Sequence, residues 1–594
     1  MIRPYLACDI ETIGLNGFSG TIWMISICGA DLKPKVFHDC NGMKQCPKEL
    51  VAILQDKNVC KIFHNGEFDL PYIELCWGIR VRNVWDTMVA EKNIQGVTAD
   101  DRKVSEAFNI AHSASLKYTL ARYGLPVPNK SIREQFINRK HGLPFTSEEI
   151  KYAGDDVKYL LPLRKAQEYI LTRDKLMEPA LLDFRAVEKI SRMKVLGIGV
   201  DKQKWLEVAD ANLNEYKRAK ALLPTSVKNW GSNQQVKYYF KQKYGIVIDT
   251  YKNLKKIYLE TRNPMLGLFI KTQMLYSDAT GYGKTWLYRD DGTCYIDADG
   301  RVRPSYDQNK NTGRFSTSNP NVLGFPRKGR QRSCIVPRKG HVFVIGDFAG
   351  QEIAIMAAAS KEDTWINALL RGEDTHGLMA SIISSERWMR AKLPGCTFPK
   401  KCNCPDHKAQ RVPAKEANFL LPYGGGADKL LERIIKGIFE KGIPTAKDID
   451  SVMTILEAKK FMHRHKRALP KLVRYLKANG KNAIKTNVSY SADPYHRRRV
   501  LKGEEQWQIR NQGMNNPIQS AASNMLKLAL ISMPDEYDII LPFHDELVAE
   551  VLKTKAKACA KAMAKVMEDA ADYITNIHGL IKADVRIQTD YTKN

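Results

Sequence analysis

The chain has 594 residues, 44% hydrophobic and 27% charged, which excludes a lone small domain or a disordered chain and leaves two to four globular domains. Its 93 Lys and Arg against 65 Asp and Glu give a formal charge of +28, which favours a polyanionic partner, nucleic acid above all. The opening MIRPYLACDIETIG lacks the apolar segment of a secretory signal, and no apolar run nears the roughly 20 residues that span a bilayer, so a cytoplasmic chain with reduced thiols and no membrane partner is expected.

Residues 1 to about 170 read as an α/β pattern. YLACDIET (5–12) and IWMISICGA (22–30) are short apolar strands separated by the Gly-rich turn GLNGFSG (14–20). CPKELVAILQD (46–56) is helical and VCKIFHN (59–65) returns to strand. Residues 147–173 predict one long amphipathic helix, opened by Thr146 or Ser147 as cap with glutamates in its first turn. From about 176 to 290 the chain is mostly helical and rich in Lys and Tyr. A second α/β unit starts near 300, with the buried strand HVFVIGD (341–347), the helix QEIAIMAAAS (351–360) and, after Pro534 and Asp535, the hairpin IILPFHDELVAEVL (539–552). Residues 410 to 530 are helix-rich and basic, with HRHKR and HRRRV runs. No repeat and no long Ser/Gly linker separates these parts, so they should pack on one another. Cys8, Cys28, Cys60, Cys76 and Cys559 are scattered and read as small core residues.

Two groups of residues carry chemistry. In the first, Asp9 and Glu11 lie two apart on a strand and share a face. Asp69 follows an apolar strand, and Tyr152 and Asp156 lie four apart on a helix, with Asp155 the alternative register. Gathered together, these carboxylates would repel unless divalent cations neutralised them, and paired Mg²⁺ ions are a known device for cleaving phosphodiesters. The order Asp-x-Glu, Asn-x-x-Phe-Asp (Asn65 to Asp69), Tyr-x-x-x-Asp resembles the three motifs of the DEDD proofreading exonucleases of the tyrosine subgroup. That resemblance implies Asp9, Glu11, Asp69 and Asp156 as Mg²⁺ ligands and Tyr152 as the group that orients the attacking water.

In the second group, Asp347 ends a buried strand and His544-Asp545-Glu546 occupies the turn of the hairpin, so two rigid carboxylates can clamp a pair of metal ions. Arg411, Lys415, Phe419 and Tyr423 are each four apart and make one helical stripe, two cations then two aromatics, about 18 Å long. Such a stripe suits the phosphates and the base or sugar of a nucleoside triphosphate.

Together these segments resemble a family A DNA polymerase of the polymerase I type. Asp347 with Glu352 resembles its motif A; Arg411, Lys415, Phe419, Tyr423 and Gly424 resemble motif B; and His544, Asp545 and Glu546 resemble motif C. The resemblance implies an α/β and α+β multidomain chain: an RNase H-like 3′-5′ exonuclease domain at about 1–175 and a right-hand polymerase domain at about 176–594. Within the latter it implies a thumb at about 200–300, a palm at about 301–365 and 525–594, and fingers at about 366–524. It further implies template-directed addition of deoxynucleotides by two-metal phosphoryl transfer, with Mg²⁺ held by Asp347 and Asp545. Arg411, Lys415 and His376 would neutralise the triphosphate, with Lys415 also able to protonate pyrophosphate, and Phe419 and Tyr423 would face sugar and base. Glu352 would exclude ribonucleotides. Arg314, Asn515, Gln519 and His544 would touch primer-template DNA. In the family, Phe at the 419 position goes with poor use of dideoxynucleotides. The resemblance begins at the proofreading domain, without the bacterial 5′-nuclease domain, and the small size points to a bacteriophage enzyme, acting as a monomer in the host cytoplasm with unidentified processivity or replisome proteins as further partners.

Three departures stand out. Ala354 replaces the usual arginine of motif A, and Asn511 stands where the family has arginine four before Asn515. Pro422 should end or kink the motif B helix, and Pro413 is tolerable only in its first turn. Two other readings compete: a single-subunit RNA polymerase, opposed by Glu352 and the proofreading segment, and a nuclease with a DNA-binding C-terminal part, opposed by the pairing of Asp347 with Asp545. Between the His376 and Arg411 segments, GCTFPKKCNCPDHKAQR gathers Cys396, Cys402, Cys404 and His407. It reads as an insertion at about 390–409, either a Cys₃His set for tetrahedral Zn²⁺ or free thiols in a Lys-rich loop.

Overall fold

The computed structural model describes residues 4–13, 20–96, 112–128, 139–325, 329–440, 442–445, 448, 452–503 and 505–592; the turn GLNGFSG, apart from Gly20, lies outside them. The N-terminal part is built on a five-stranded sheet of β1 (Tyr5–Ile13), β2 (Thr21–Cys28), β3 (Pro34–His38), β4 (Cys60–Phe63) and β5 (Val84–Asp86), in the order β3-β2-β1-β4-β5. β1 pairs antiparallel with β2 and parallel with β4, so its apolar Ala7, Cys8 and Ile10 are buried. Helix α1 (Gly66–Trp77) follows β4 and α2 (Thr87–Gln95) follows β5. Asp86 caps α2 by accepting the N–H groups of Met88 and Val89.

Helix α3 (Ser147–Lys158) crosses β1, β2 and β3, and its cap is Thr146, in a capping box with Glu149. The single long helix expected over 147–173 is broken: α3 stops at Lys158 and a second helix runs Leu160–Arg173. Pro162 explains the break, because it lacks an N–H and its ring would clash with the carbonyl four residues back, that of Lys158. Among the scattered cysteines, Cys8, Cys28, Cys60 and Cys559 are buried as expected, while Cys76 is only half-buried.

Helix α4 (Met177–Leu196) carries the chain onward. Helices at Lys202–Ala221, Asn233–Tyr244 and Pro264–Gly281 follow, and Trp230, Phe240 and Phe269 form a core of their own there. That core is completed by Ile435 and Phe439, far along the chain.

The second sheet has β6 (His341–Phe348), β7 (Asp538–Phe543), β8 (Glu546–Leu552) and β9 (Ala583–Gln588) in the antiparallel order β7-β8-β6-β9. Gly346 lets a long helix lie close beneath it: a Cβ there would come within 2.5 Å of Met567 Sδ. Around this sheet stand α5 (Gln351–Ser360), α6 (Thr375–Ile383), α7 (Ser385–Arg390), α8 (Pro405–Leu420), α9 (Ala427–Phe439), α10 (Ile455–Ala468), α11 (Pro470–Thr486), α12 (Gln506–Ser532) and α13 (Ala556–Thr575).

Helix α8 corrects one reading. It starts at Pro405, with Cys404 as N-cap, so Pro413 sits inside the helix rather than in its first turn, and residues 405–409 at the end of the 390–409 segment are already helical. Pro405 suits the start because its missing N–H would be unsatisfied there in any case. Pro422 acts as expected: α8 ends at Leu420, a 3₁₀ turn spans Leu421–Tyr423, and Gly424 turns left-handed at φ 68°.

A buried polar hub is one of the contacts that join the N-terminal part to the rest of the chain, beside ion pairs such as Arg82–Asp535 and Lys92–Asp307. Asp183 of α4 is fully buried and accepts hydrogen bonds from Arg497 (2.7 and 2.8 Å), Lys527 (2.7 Å), Asn93 (2.9 Å) and Asn309 (2.7 Å). These partners come from α2, from the segment after 300, from the turn before α12 and from α12 itself. Burial alone would raise the Asp183 carboxyl, but the Arg497 guanidinium and the Lys527 ammonium outweigh it and hold it well below the usual range. Replacing Asp183 with Asn leaves two buried cations underpaired, a loss of about 3–5 kcal/mol expected from breaking a buried ion pair. Because the folded carboxyl is depressed, its contribution is fully present above the unfolded value of about 3.9 and is lost as pH falls through the folded one. Thermal unfolding of wild type and Asp183→Asn should therefore differ by a steady gap down to about pH 4, and the gap should narrow only as pH falls further; a gap that stays constant into strong acid would contradict this.

Two candidate carboxylate sites and a candidate metal centre

In the first sheet, the alternation of β1 sends Asp9 and Glu11 to one face, opposite Ser26 and Met24 of β2. Asp156 of α3 reaches the same point, and ligand oxygens of Asp9, Glu11 and Asp156 lie within 4.8 Å of one another. Asp156 is buried and Asp155 half-buried, which separates the two registers. Tyr152, one turn earlier on α3, is packed against Trp23 and Met24. Asp69 stands outside the three-carboxylate group. It is buried on α1, and its Oδ1 accepts the Ile10 N–H at 3.2 Å, tying it to β1 between Asp9 and Glu11. Burial first, and then the Asp9 charge, push its carboxyl well above the usual range. A cation among these oxygens would reverse that, and the all-oxygen donor set fits a hard divalent ion.

In the second sheet, Asp347 of β6 stands opposite Glu546 of β8 and Asp584 of β9. The Phe348 N–H donates to the Asp545 carbonyl at 3.2 Å, which brings the β7–β8 turn alongside the end of β6. His544 is exposed in that turn at φ 58°, its ring against Phe543. Glu546 is engaged elsewhere: its carboxylate accepts from Arg586 (3.0 Å) and from the Tyr591 hydroxyl (2.9 Å). Glu546 is thus buried at the start of β8, whereas Asp347 and Asp545 are half-buried.

Packed on α6 and α9, α8 carries Arg411, Lys415 and Phe419, and the 3₁₀ turn carries Tyr423. Arg411 forks onto Asp374 at 2.5 and 2.9 Å. Asp374 also caps α6, accepting the His376 N–H, so one carboxylate ties the helix of His376 to the helix of Arg411. Glu352 accepts from Arg314 at 2.9 Å, and Gln519 donates to the Tyr423 hydroxyl. Asn515 is half-buried one turn before Gln519 on α12. Ala354, where arginine was looked for, is fully buried in the core. The Asn511 carboxamide fills the space against Gly424 that a Cβ would need.

Sequence reasoning missed Asp374 and a buried relay. His465 Nε2–H donates to Asn418 Oδ1 at 2.6 Å, and Asn418 Nδ2–H donates to His376 Nδ1 at 2.9 Å. That order makes His376 Nδ1 an acceptor and leaves the proton on Nε2. His465 read as part of the basic HRHKR run, yet it is fully buried. Position in a charged run gives no signal of burial; the only hint was Asn418 beside Phe419 in the helical stripe.

The cysteine cluster is gathered as well. The ligand atoms of Cys396, Cys402, Cys404 and His407 lie within 4.8 Å of one another, with His407 Nδ1 3.6 Å from Cys396 Sγ and 3.2 Å from Cys402 Sγ.

A protein-family model described as DNA polymerase family A matches residues 206–592, and one described as 3′-5′ exonuclease matches residues 2–171. DNA polymerase I of Aquifex aeolicus (strain VF5) is 23% identical over 610 residues, covering 96% of this chain and 93% of that protein. DNA polymerase I of Chloroflexus aurantiacus is 24% identical, covering 95% of this chain and 59% of that protein. The thermostable DNA polymerase I of Thermus aquaticus is 26% identical over 285 residues, 45% of this chain and 30% of that protein. The solved POL domain of Pol1 from M. smegmatis, in complex with DNA primer-template and dNTP, shares the fold at a TM-score of 0.75 and 18% identity over 99% of this chain and 96% of that one. No helix among the described residues is long and apolar enough to cross a membrane.

Burial, and then the Arg411 charge, bring His376 down to about 3, and burial brings His465 down to about 4. Both rings should stay neutral from pH 5 to 8 in histidine-labelled NMR spectra. Arg411→Ala should move the His376 midpoint upward by removing the repulsion. A wild-type midpoint near 6.5, the unperturbed value, would contradict the relay.

Proposed function

Because this chain belongs to DNA polymerase family A and carries a 3′-5′ exonuclease domain ahead of the polymerase domain, we propose that it extends a primer along a DNA template with deoxynucleoside triphosphates and trims mismatched 3′ ends, as a monomer in the cytoplasm. The observation that supports the reading is the hydrogen bond from the Phe348 N–H to the Asp545 carbonyl, which brings the turn carrying Asp545 alongside the end of β6 that carries Asp347. We assign about 1–175 to the exonuclease and the remainder to thumb, palm and fingers.

Mg²⁺, when bound, would supply activation of the attacking oxygen and neutralisation of the departing one at each carboxylate site. Asp347 and Asp545 would hold the metals of synthesis; Asp9, Glu11 and Asp156, with Asp69 on α1 beside them as a further ligand, would hold those of trimming. Tyr152 positions the water at the trimming site. At the fingers, Arg411 exchanges the Asp374 carboxylate for phosphate oxygens, which its planar fork matches equally well. Lys415 adds a second cation one turn on and gives a proton to the leaving pyrophosphate. His376 stays neutral and donates from Nε2, held in that tautomer by Asn418. Phe419 and Tyr423 offer flat faces to sugar and base, and Glu352, steadied by Arg314, occupies the room of a 2′-hydroxyl. Arg314, Asn515, Gln519 and His544 face the primer-template. The cysteine cluster takes Zn²⁺.

Asp347→Asn should lower primer extension on the order of 10³-fold or more and leave degradation of single-stranded DNA intact. Asp9→Ala with Glu11→Ala should do the reverse, abolishing removal of a mismatched 3′ end while extension survives. If Asp347→Asn extends primers normally, the polymerase assignment of this carboxylate fails. Phe419→Tyr should raise incorporation of dideoxynucleotides relative to deoxynucleotides in a chain-termination assay; an unchanged ratio would remove Phe419 from the sugar contact.

A further inference from the structure

Four ligand atoms converging in a polymerase fingers segment need an explanation of their own. In a tetrahedral Zn²⁺ site the ligand atoms stand about 3.6–3.8 Å apart, given Zn–S of about 2.3 Å and Zn–N of about 2.0–2.1 Å. His407 Nδ1 lies 3.6 Å from Cys396 Sγ and 3.2 Å from Cys402 Sγ, close to that edge. The histidine is already set for a metal. Its Nε2–H donates to the Trp388 carbonyl at 2.8 Å, which leaves the Nδ1 lone pair facing the sulfurs. Trp388 stacks flat on the ring at 3.9 Å and 8°, and Phe398 packs edge-on against Trp388. All three cysteines are free thiols. Three thiolates and one imidazole on Zn²⁺ carry a net charge of −1, which suits the surrounding Lys392, Lys400, Lys401 and Lys408.

The cluster is joined to the nucleotide site by two covalent and hydrogen-bonded routes. Cys404 is the N-cap of α8 and His407 lies in its first turn, four residues before Arg411. Pro399, between Cys396 and Cys402, accepts the Asp374 N–H at 2.9 Å. Asp374 in turn holds Arg411 and caps the helix of His376. The loop from 391 to 404 has little apolar core of its own, so its shape depends on what binds the four ligands.

We propose that Cys396, Cys402, Cys404 and His407 bind one structural Zn²⁺, and that this ion sets the position of Arg411 and His376 and thereby the affinity for nucleoside triphosphate. The coupling rests on the polymerase reading above; the metal site does not. A single ion thus pins both the start of α8 and, through Pro399 and Asp374, the start of α6.

The test uses the full chain purified without chelator. Metal analysis should find one equivalent of zinc, and Co²⁺ exchanged into the site should show thiolate-to-cobalt charge-transfer absorption. Less than about half an equivalent, with no such absorption, overturns the site. Cys402→Ser with Cys404→Ser should lose the zinc, raise KM for dNTP roughly 10-fold or more with a smaller change in kcat, and leave exonuclease activity on single-stranded DNA unchanged, which also reports that the variant is folded. Zinc lost with KM unchanged overturns the coupling. Should the variant lose exonuclease activity too, chelation of zinc from the wild-type protein replaces it: KM must rise on removal and recover on adding Zn²⁺ back, and a KM indifferent to removal overturns the coupling. A wild-type protein that binds zinc but does not extend primers refutes the polymerase reading and leaves the metal site standing.

Discussion

Asp183 is the constraint on which the arrangement of this molecule depends. A carboxylate with no solvent exposure must find its partners inside the protein, and these come from four separate stretches of chain. Asn93 belongs to the helix after β5, Asn309 to the strap that leads to Arg314, and Arg497 and Lys527 to the frame of α12. Gln308 and Lys527 close the same network, since Lys527 also donates to the Gln308 carbonyl at 2.8 Å. One carboxylate against two cations leaves a positive excess, and burial brings Lys527 down to about 8 despite the pull of Asp183. Arg497 extends the network further by donating to Asn524 at 2.9 Å.

The two sites then illustrate opposite uses of charge. At Asp9, Glu11 and Asp156 like charges converge, and beside them burial, then the Asp9 charge, push the Asp69 carboxyl up. At the fingers the charges are paired in advance. Arg411 is held by Asp374, and Glu352 by Arg314, at distances of strong charge-assisted hydrogen bonds. Pairing fixes the direction of each guanidinium fork before any ligand arrives. Glu546 and Glu550 show the third case, full burial with full pairing: Glu546 is held by Arg586 and Tyr591, Glu550 by Arg301. These glutamates hold the sheet that presents Asp347 and Asp545.

Much of this was legible in the residues themselves. The apolar run before Asp347, the hairpin around Asp545 and the alternation of Asp9 and Glu11 are local patterns with a fixed period. Thr146 with Glu149 is a local cap, and the four-residue spacing of Arg411, Lys415 and Phe419 is a local helical face. The misreadings were of two kinds. Pro162 and Pro413 carry the same local penalty, yet the first breaks a helix and the second does not, because α8 is held from its start at Cys404 through buried Ala414, Ala417 and Asn418. The burial of His465 and the pairing of Asp374 went unseen because they depend on partners 47 and 37 residues away.

The sequence by itself determined the chemistry of this protein: which carboxylates, cations, aromatics and thiols exist, and the order and spacing that mark a polymerase joined to a proofreading nuclease. Those follow from strand and helix periods, which any short window of chain displays. Tertiary structure alone decided which of these groups meet. It chose Asp156 over Asp155, paired Glu546 with Arg586, tied Arg411 to Asp374, and brought the ligand atoms of three cysteines and His407 within 4.8 Å of one another. The physical reason is that burial and pairing are properties of groups distant in the chain, and no local period encodes which distant group a buried charge will find.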